Sequence, residues 1–214
     1  MRVLVTAGAT REFLDDVRYL SSPSSGRMGF AVAEAFAAAG HEVTLITGPT
    51  HLVTPEEIAC VHVVSAREMH RAVMDRVDAV DVVVMTAAVA DYRPAAPVVG
   101  KRKRTGEEWV LALVENPDIL KEIGSRKGGR ILVGFAVESD HPRRGALDKL
   151  KKKNLDLIVL NAPSAFGAEV TSVEIIDRSE NVTTLRDVPK REVAEHILRR
   201  VEVLYESNEA DRET

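Results

Sequence analysis

Short β-branched blocks alternate with helical stretches along most of the chain. Arg2–Thr6 carries the run VLVT, and its lack of polar alternation predicts a strand buried on both faces. Phe30–Ala39 is alanine-rich and predicts a helix stopped by Gly40. His41–Thr47 (HEVTLIT) is a second strand, ended by Gly48-Pro49, and Val61–Val64 is a third. Ser65 has the character of an N-cap, with Glu68 completing a capping box for a helix that runs to about Val77. Asp81–Ala90 (DVVVMTAAVA) begins as a buried strand and ends in small residues. Asn116-Pro117-Asp118 opens another helix with proline near its first turn. Arg130–Ala136 and Leu155–Asn161 are further strands, and a basic helix closes over Asp148–Lys153 between them. Glu169–Leu185 alternates around Ser179-Glu180-Asn181, which predicts an antiparallel hairpin. Val188–Tyr205 is an amphipathic terminal helix, and residues 208–214 form a polar tail expected to fray.

This order specifies the α/β class: a Rossmann-like, mostly parallel sheet with helices on both faces and a C-terminal antiparallel hairpin. Asp91–Val114 interrupts it with prolines, a basic cluster and Trp109, and is expected to leave the sheet as a flap carrying short strands. A length of 214 residues suits one domain, here residues 1–207. The net charge of −4 disfavours nucleic acid as a partner. The single cysteine, Cys60, excludes an internal disulfide and a cysteine zinc cage, and it fits a reducing compartment. The histidines are scattered without zinc-site spacing. No apolar run is long enough to cross a bilayer, and Met1-Arg2 leads into the first strand without a signal-peptide layout. A cytoplasmic protein with no membrane partner is the expectation.

In an open parallel sheet, ligands bind beyond the carboxyl ends of the strands where strand order reverses. The loops so placed are Thr6–Thr10, Gly48-Pro49, Thr86–Asp91, Phe135–Ser139 and Asn161. The first is built of small residues but is not GxGxxG. Ser24-Ser25-Gly26 stands before a helix, where hydroxyls and N–H groups either bind an anion or merely cap the helix. Arg27 adds charge there or faces solvent. The alanines after Thr86 leave room for a flat ligand. Asp91 at the rim accepts hydrogen bonds from it, or else caps a turn and pairs with Arg93. Lys101–Arg104 is a phosphate clamp or a solvated charge run. Lys149 and Lys153 lie one helical turn apart, within reach of a polyphosphate. Phe135 stacks on a base or belongs to the core. A GxSxG nucleophile elbow is absent.

Taken in order, VTAGATRE (Val5–Glu12), DDVRYL (Asp15–Leu20), SSGRMGFAVAEA (Ser24–Ala35), EVTLITGP (Glu42–Pro49), TAAVADYRP (Thr86–Pro94), KRKR with ENPDIL (Glu115–Leu120), VGFAVES (Val133–Ser139) and KLKKKNLDLIVLN (Lys149–Asn161) resemble one family. It is the phosphopantothenate–cysteine ligase (phosphopantothenoylcysteine synthetase) family of coenzyme A biosynthesis. The resemblance implies a two-step reaction. The carboxylate of 4′-phosphopantothenate attacks the α-phosphate of a nucleoside triphosphate, releasing pyrophosphate. The amine of cysteine then attacks the acyl-nucleotide, giving the amide and a nucleoside monophosphate. The wording is closer to bacterial members, so CTP is expected rather than ATP, with Mg2+ screening the triphosphate. The same resemblance puts Met85, Thr86 and Ala87 along the nucleotide site, Asp91 on the ribose side, and Pro117, Asp118, Ile119 and Leu120 at a nucleotide-contacting helix start. It puts Phe135 at the base, Lys149 and Lys153 at the triphosphate, and Lys101 on a flap that handles the acyl-nucleotide. Ser24, Ser25 and Gly26 would hold the phosphate of phosphopantothenate or line its pocket. A homodimer sharing its sites through the flap is implied.

Ser22 stands where the family carries an asparagine that orients the acyl-nucleotide. A serine hydroxyl is shorter and lacks the paired donor and acceptor of an amide, so the second half-reaction is the step that depends on Ser22. Many bacterial relatives fuse this domain behind a flavin-dependent decarboxylase. With Met1 opening the first strand, neither flavin nor decarboxylation is expected of this chain. Two other readings are a non-catalytic nucleotide-binding protein of the same fold, suggested by Ser22, and a short-chain NAD(P) oxidoreductase. The second is opposed by the missing GxGxxG and by Tyr19, Tyr92 and Tyr205, none of which has lysine four residues on.

Overall fold

The computed structural model describes residues 1–137, 141–161 and 170–212, with side chains to 210. The chain forms β1 (Arg2–Ala7), β2 (Glu12–Phe13), β3 (Tyr19–Leu20), α1 (Arg27–Ala38), β4 (Glu42–Thr47), β5 (Ala59–His62), α2 (Ala66–Met74), β6 (Val82–Met85), β7 (Tyr92–Pro94) and β8 (Leu113–Glu115). It continues through α3 (Ile119–Ser125), β9 (Ile131–Val137), α4 (Pro142–Lys152), β10 (Leu157–Asn161), β11 (Val170–Asp177), β12 (Val182–Pro189) and α5 (Lys190–Arg212).

Eight strands make one sheet in the order β12-β11-β10-β9-β6-β1-β4-β5. The six from β10 to β5 are parallel, and β11 and β12 add an antiparallel edge. The apolar runs follow from coverage of both faces. Val3 and Val5 join Val32 and Phe36 of α1 and Ile197 and Val201 of α5 in one layer. Leu4 points the other way, to Met69 of α2, Ile123 of α3 and Leu150 of α4. Each such aliphatic side chain, once buried, contributes about 1.5–3 kcal/mol. From β1 the chain moves outward to β4 and β5, then returns to β6 on the other side of β1. Strand order therefore reverses between β1 and β6, where Thr6 lies opposite Met85. A parallel bridge between Ala9 and Ala88 extends the pair past the strand ends.

Several boundaries differ from the sequence expectation. The third strand sits two residues earlier, at Ala59–His62, because it pairs with Thr44–Thr47. Ser65 does cap α2, its Oγ accepting from the Glu68 N–H at 3.2 Å, but the Glu68 carboxylate accepts from Val64 N–H at 2.7 Å, one residue before the cap. The helix ends at Met74, and Val77–Ala79 is a separate 3-10 turn. Pro117 precedes the cap of α3 and is not in its first turn; Asp118 is the cap, accepting from Lys121 N–H at 3.1 Å. The expected polar tail continues α5 through Arg212, while 213 and 214 lie outside the described residues. The hairpin forms as β11 and β12; Glu169 lies outside the described residues.

The Asp91–Val114 segment leaves the sheet as expected, with β7 and β8 paired at its base. Its far part is tied to the loop after β2. Val98 N–H donates to the Leu14 carbonyl at 2.9 Å, Gly100 N–H to Asp16 at 3.1 Å and Arg102 N–H to Asp15 at 3.1 Å. Arg18 donates to the Arg102 carbonyl at 2.9 Å and to Asp15 through Nε at 3.0 Å. The guanidiniums of Arg18 and Arg102 lie 5.0 and 4.6 Å from the Trp109 ring centre. Asp15 is buried, and its bond to Arg18 holds the carboxyl well below the usual carboxylate range.

Candidate functional site

Two adjoining cavities open beyond the carboxyl ends of β6, β9 and β10, on the side of the strand-order reversal that the general rule selects. The first, of about 210 Å³, runs from Ser24–Gly29 past Thr86–Val89 to Asn161 and Lys190. The second, of about 200 Å³, runs from Met85 and Asp91 past Asn116–Leu120 to Lys149 and Lys153. Ala87, Val89 and Phe135 line both. We call them the serine lobe and the lysine lobe.

Thr6 and Thr10, buried at the end of β1, shape the floor. Thr6 Oγ1 accepts from Ala87 N–H at 3.2 Å, Thr10 Oγ1 accepts from Ala90 N–H at 2.9 Å, and the Thr6 carbonyl accepts from Thr86 Oγ1 at 2.5 Å. The small-residue loop after β6 is thereby fixed by side chains of another strand, and its alanines leave the space above it open.

The serine lobe is made largely of backbone. Gly26 is the N-cap of α1, with φ of 83°, and no side chain caps the helix. Neither Ser24 nor Ser25 is therefore the cap. A left-handed cap suits glycine and turns the chain sharply into the helix. Inside α1, Gly29 has no room for a side chain: a Cβ would fall 2.8 Å from the Thr6 carbonyl oxygen and 2.5 Å from Ala7 Cβ. That absence lets the helix start settle onto the strand ends. Asn161 lines the same lobe, with its buried Oδ1 lacking a hydrogen-bond partner among the described residues.

The lysine lobe is made of side chains. Asp118 both caps α3 and holds Lys153, whose Nζ lies 2.9 Å from Oδ1 and 2.8 Å from Oδ2. Lys149 lines the lobe one turn earlier on α4. Asn116 donates to the Ala90 carbonyl at 2.9 Å and accepts from Arg93 at 3.1 Å. Arg93 thus pairs with Asn116, not Asp91. Asp91 sits exposed at the rim, with its carbonyl accepting from Asn116 N–H at 2.7 Å.

The structure brings together Met85, Ala87, Asp91, Pro117, Asp118, Ile119, Leu120, Phe135, Lys149 and Lys153 in the lysine lobe, while Thr86 lines the serine lobe with Ser24, Ser25 and Gly26. Phe135 packs against the core and also lines both lobes. Two expected residues line neither lobe. Ser22 accepts from Ser24 N–H at 3.3 Å, before the serine lobe begins. Lys101 is exposed on the excursion, between Gly100 and Arg102, whose N–H groups are held by Asp16 and Asp15. Ser139 of the Phe135–Ser139 loop lies outside the described residues. Lys190, the Arg93–Asn116 bond and the bracing role of the Thr6 and Thr10 hydroxyls went unforeseen. Only the β-strand register and the arrival of α5 at the cleft reveal them.

A sequence profile for the DNA/pantothenate metabolism flavoprotein C-terminal domain matches residues 1–204. The chain belongs to this family. It is 42% identical over 186 residues to the coenzyme A biosynthesis bifunctional protein CoaBC of Haemophilus influenzae, covering 86% of this chain and 45% of that protein. It is 43% identical over 206 residues to a cysteine/cysteine sulfinic acid decarboxylase of an unidentified prokaryote, covering 94% of this chain and 57% of that protein. The chain spans about half the length of the curated relatives it matches. The crystal structure of a C-terminal domain of CoaBC superposes with a TM-score of 0.84 at 39% identity, covering 96% of each chain. The matched residues 1–204 include all the described residues that line the two lobes.

Proposed function

We propose that this domain joins 4′-phosphopantothenate to cysteine through an acyl-nucleotide, giving phosphopantothenoylcysteine for coenzyme A biosynthesis. The observation that carries the reading is the junction of the lobes at Ala87, Val89 and Phe135. A nucleotide and a second phosphorylated substrate can there meet end to end, which is what attack of a carboxylate on an α-phosphate requires. Likeness to the C-terminal part of CoaBC proteins supports the same assignment.

The nucleotide, with CTP our choice over ATP, occupies the lysine lobe. Its base lies against Phe135 and the start of α3, its ribose near Asp91, and its phosphates at Lys149 and Lys153. The Ser24–Gly26 turn receives phosphate across the junction. Catalysis then rests on positioning and charge rather than on a side-chain nucleophile. Among the described residues no group of three or more His, Cys, Asp and Glu forms a metal cage. Magnesium fits as an ion carried mainly by substrate phosphates, with Asp91 as the rim carboxylate available to it, and it screens their charge.

Lys101 reaches the chemistry as part of a homodimer, delivered by the excursion of a second copy. The excursion suits an interface: Val99 and Val110 are 96% and 80% exposed. Ser22 supports the cysteine step by holding the turn before Ser24.

The test is to incubate the protein with 4′-phosphopantothenate, Mg2+ and CTP or ATP, with and without cysteine. Pyrophosphate plus amide, faster with CTP, is the expected result. Pyrophosphate with accumulating acyl-cytidylate and no amide would locate a defect at Ser22. No pyrophosphate with either nucleotide would end the ligase reading.

A further inference from the structure

We infer that Lys190 is a positioning residue for a substrate phosphate in the serine lobe; the inference rests on the ligase reading for the identity of that substrate. Lys190 is the first residue of α5 and lines the lobe with Arg27, so the start of the terminal helix supplies one of the two cationic side chains among the described lining residues. Its place is fixed by the sheet: β12 ends at Pro189, paired with Val170, and α5 begins at once. Proline's locked φ narrows the direction in which the next residue leaves the strand.

Helix physics does not account for a lysine there. The positive end of the helix dipole disfavours a cation in the first turn and favours an acid. Glu192, in that turn, meets the preference, and Lys190 opposes it. Lys190, half-buried at one helix start, lines the same lobe as a second helix start at Gly26–Met28, so positive potential from both bears on one small space. The ligand chemistry that fits is a phosphate, of the nucleotide or of phosphopantothenate. The Ser24 and Ser25 hydroxyls offer further donors on the opposite wall.

The test compares Lys190→Ala and Lys190→Arg with the wild-type chain. KM for CTP, KM for 4′-phosphopantothenate and kcat are measured, and calorimetric binding of inorganic pyrophosphate serves as a readout independent of turnover. For Lys190→Ala, one KM is expected to rise about tenfold or more, the scale of a lost charge-assisted hydrogen bond, with a smaller change in kcat and weaker pyrophosphate binding. The substrate whose KM rises is the one whose phosphate sits in the serine lobe. Lys190→Arg should restore most of the loss. Unchanged KM values and pyrophosphate affinity in Lys190→Ala would overturn the inference. So would equal impairment of both variants with a matching drop in melting temperature, which would mark a structural role. If the wild type fails to turn over but Lys190→Ala still weakens pyrophosphate binding, the ligase reading falls and the phosphate role of Lys190 stands.

Discussion

The floor of the cleft and the excursion that starts at Asp91 are held by opposite means. The floor is tied by the Thr6 and Thr10 hydroxyls and by backbone bonds of Ala88 with Gly8 and Thr10, with Gly29 bringing α1 onto the strand ends. Its order comes with the burial of the sheet, so it lasts as long as the fold does. The excursion has little core of its own. It is fastened by the carboxylates of Asp15 and Asp16, by the Val98–Leu14 backbone bond and by two guanidiniums over Trp109. The floor's geometry is a stability property, whereas the excursion's geometry can be lost while the protein stays folded. A site that takes parts from both can therefore fail in two distinguishable ways.

Substitutions can separate these failures. The largest effect is expected from Asp15→Asn, which loosens the excursion that carries Lys101. Turnover should fall by about 10²-fold, the scale of a misplaced positioning element, while the main thermal transition changes little. Trp109, the only tryptophan, should report the release as a fluorescence shift. Unchanged fluorescence with a large drop in melting temperature would mean that Asp15 belongs to the floor's class. Next comes Lys153→Ala, expected to raise KM for CTP about 10- to 100-fold through loss of charge-assisted hydrogen bonds, with KM for phosphopantothenate nearly constant. Gly29→Ala should do the reverse of Asp15→Asn: a loss of about 1–3 kcal/mol of stability through overpacking, read by denaturant melts, with Trp109 fluorescence unshifted in the folded state. Ser65→Ala, remote from both regions, should cost about 1 kcal/mol through its lost cap and leave both KM values alone.

The smallest effect is pH dependence. The folded-state pKa of Asp15 lies below its unfolded value of about 3.9. Its contribution is thus fully present above that unfolded value and is lost as pH falls through the folded one. Trp109 fluorescence should be flat from pH 5 to 8 and shift only in strong acid. A transition near pH 6 would assign the fastening to a different group.

The sheet was legible because its residues obey one rule at a time. The VLV of β1 and the LIVL of β10 are unbroken apolar runs, and strands covered on both faces need nothing more. The lysine lobe was legible through the resemblance of ordered motifs, and helical spacing alone set Lys149 and Lys153 on one face. What stayed hidden depends on contacts between distant segments. Of the two readings of Asp91, the one that pairs it with Arg93, two residues on, is not formed: Arg93 bonds Asn116 because β7 and β8 lie side by side. For the serines before α1, capping stood beside anion binding as an alternative, since serine is a common cap. Gly26 takes that role through its left-handed φ, which composition does not reveal. Lys190 stands far from every motif and reaches the cleft only because β12 ends beside it.

The bond between Asp118 and Lys153 bears on which anions the cleft attracts. A free orthophosphate approaching Lys153 meets an ammonium whose charge is already answered, and it must displace a carboxylate tethered to the start of α3. A triphosphate that also engages Lys149 has a second foothold from which to make that exchange. The cleft should therefore be weakly inhibited by orthophosphate at concentrations where a nucleotide binds, so that small anions in the surrounding solution do not blunt the domain's response to its substrate.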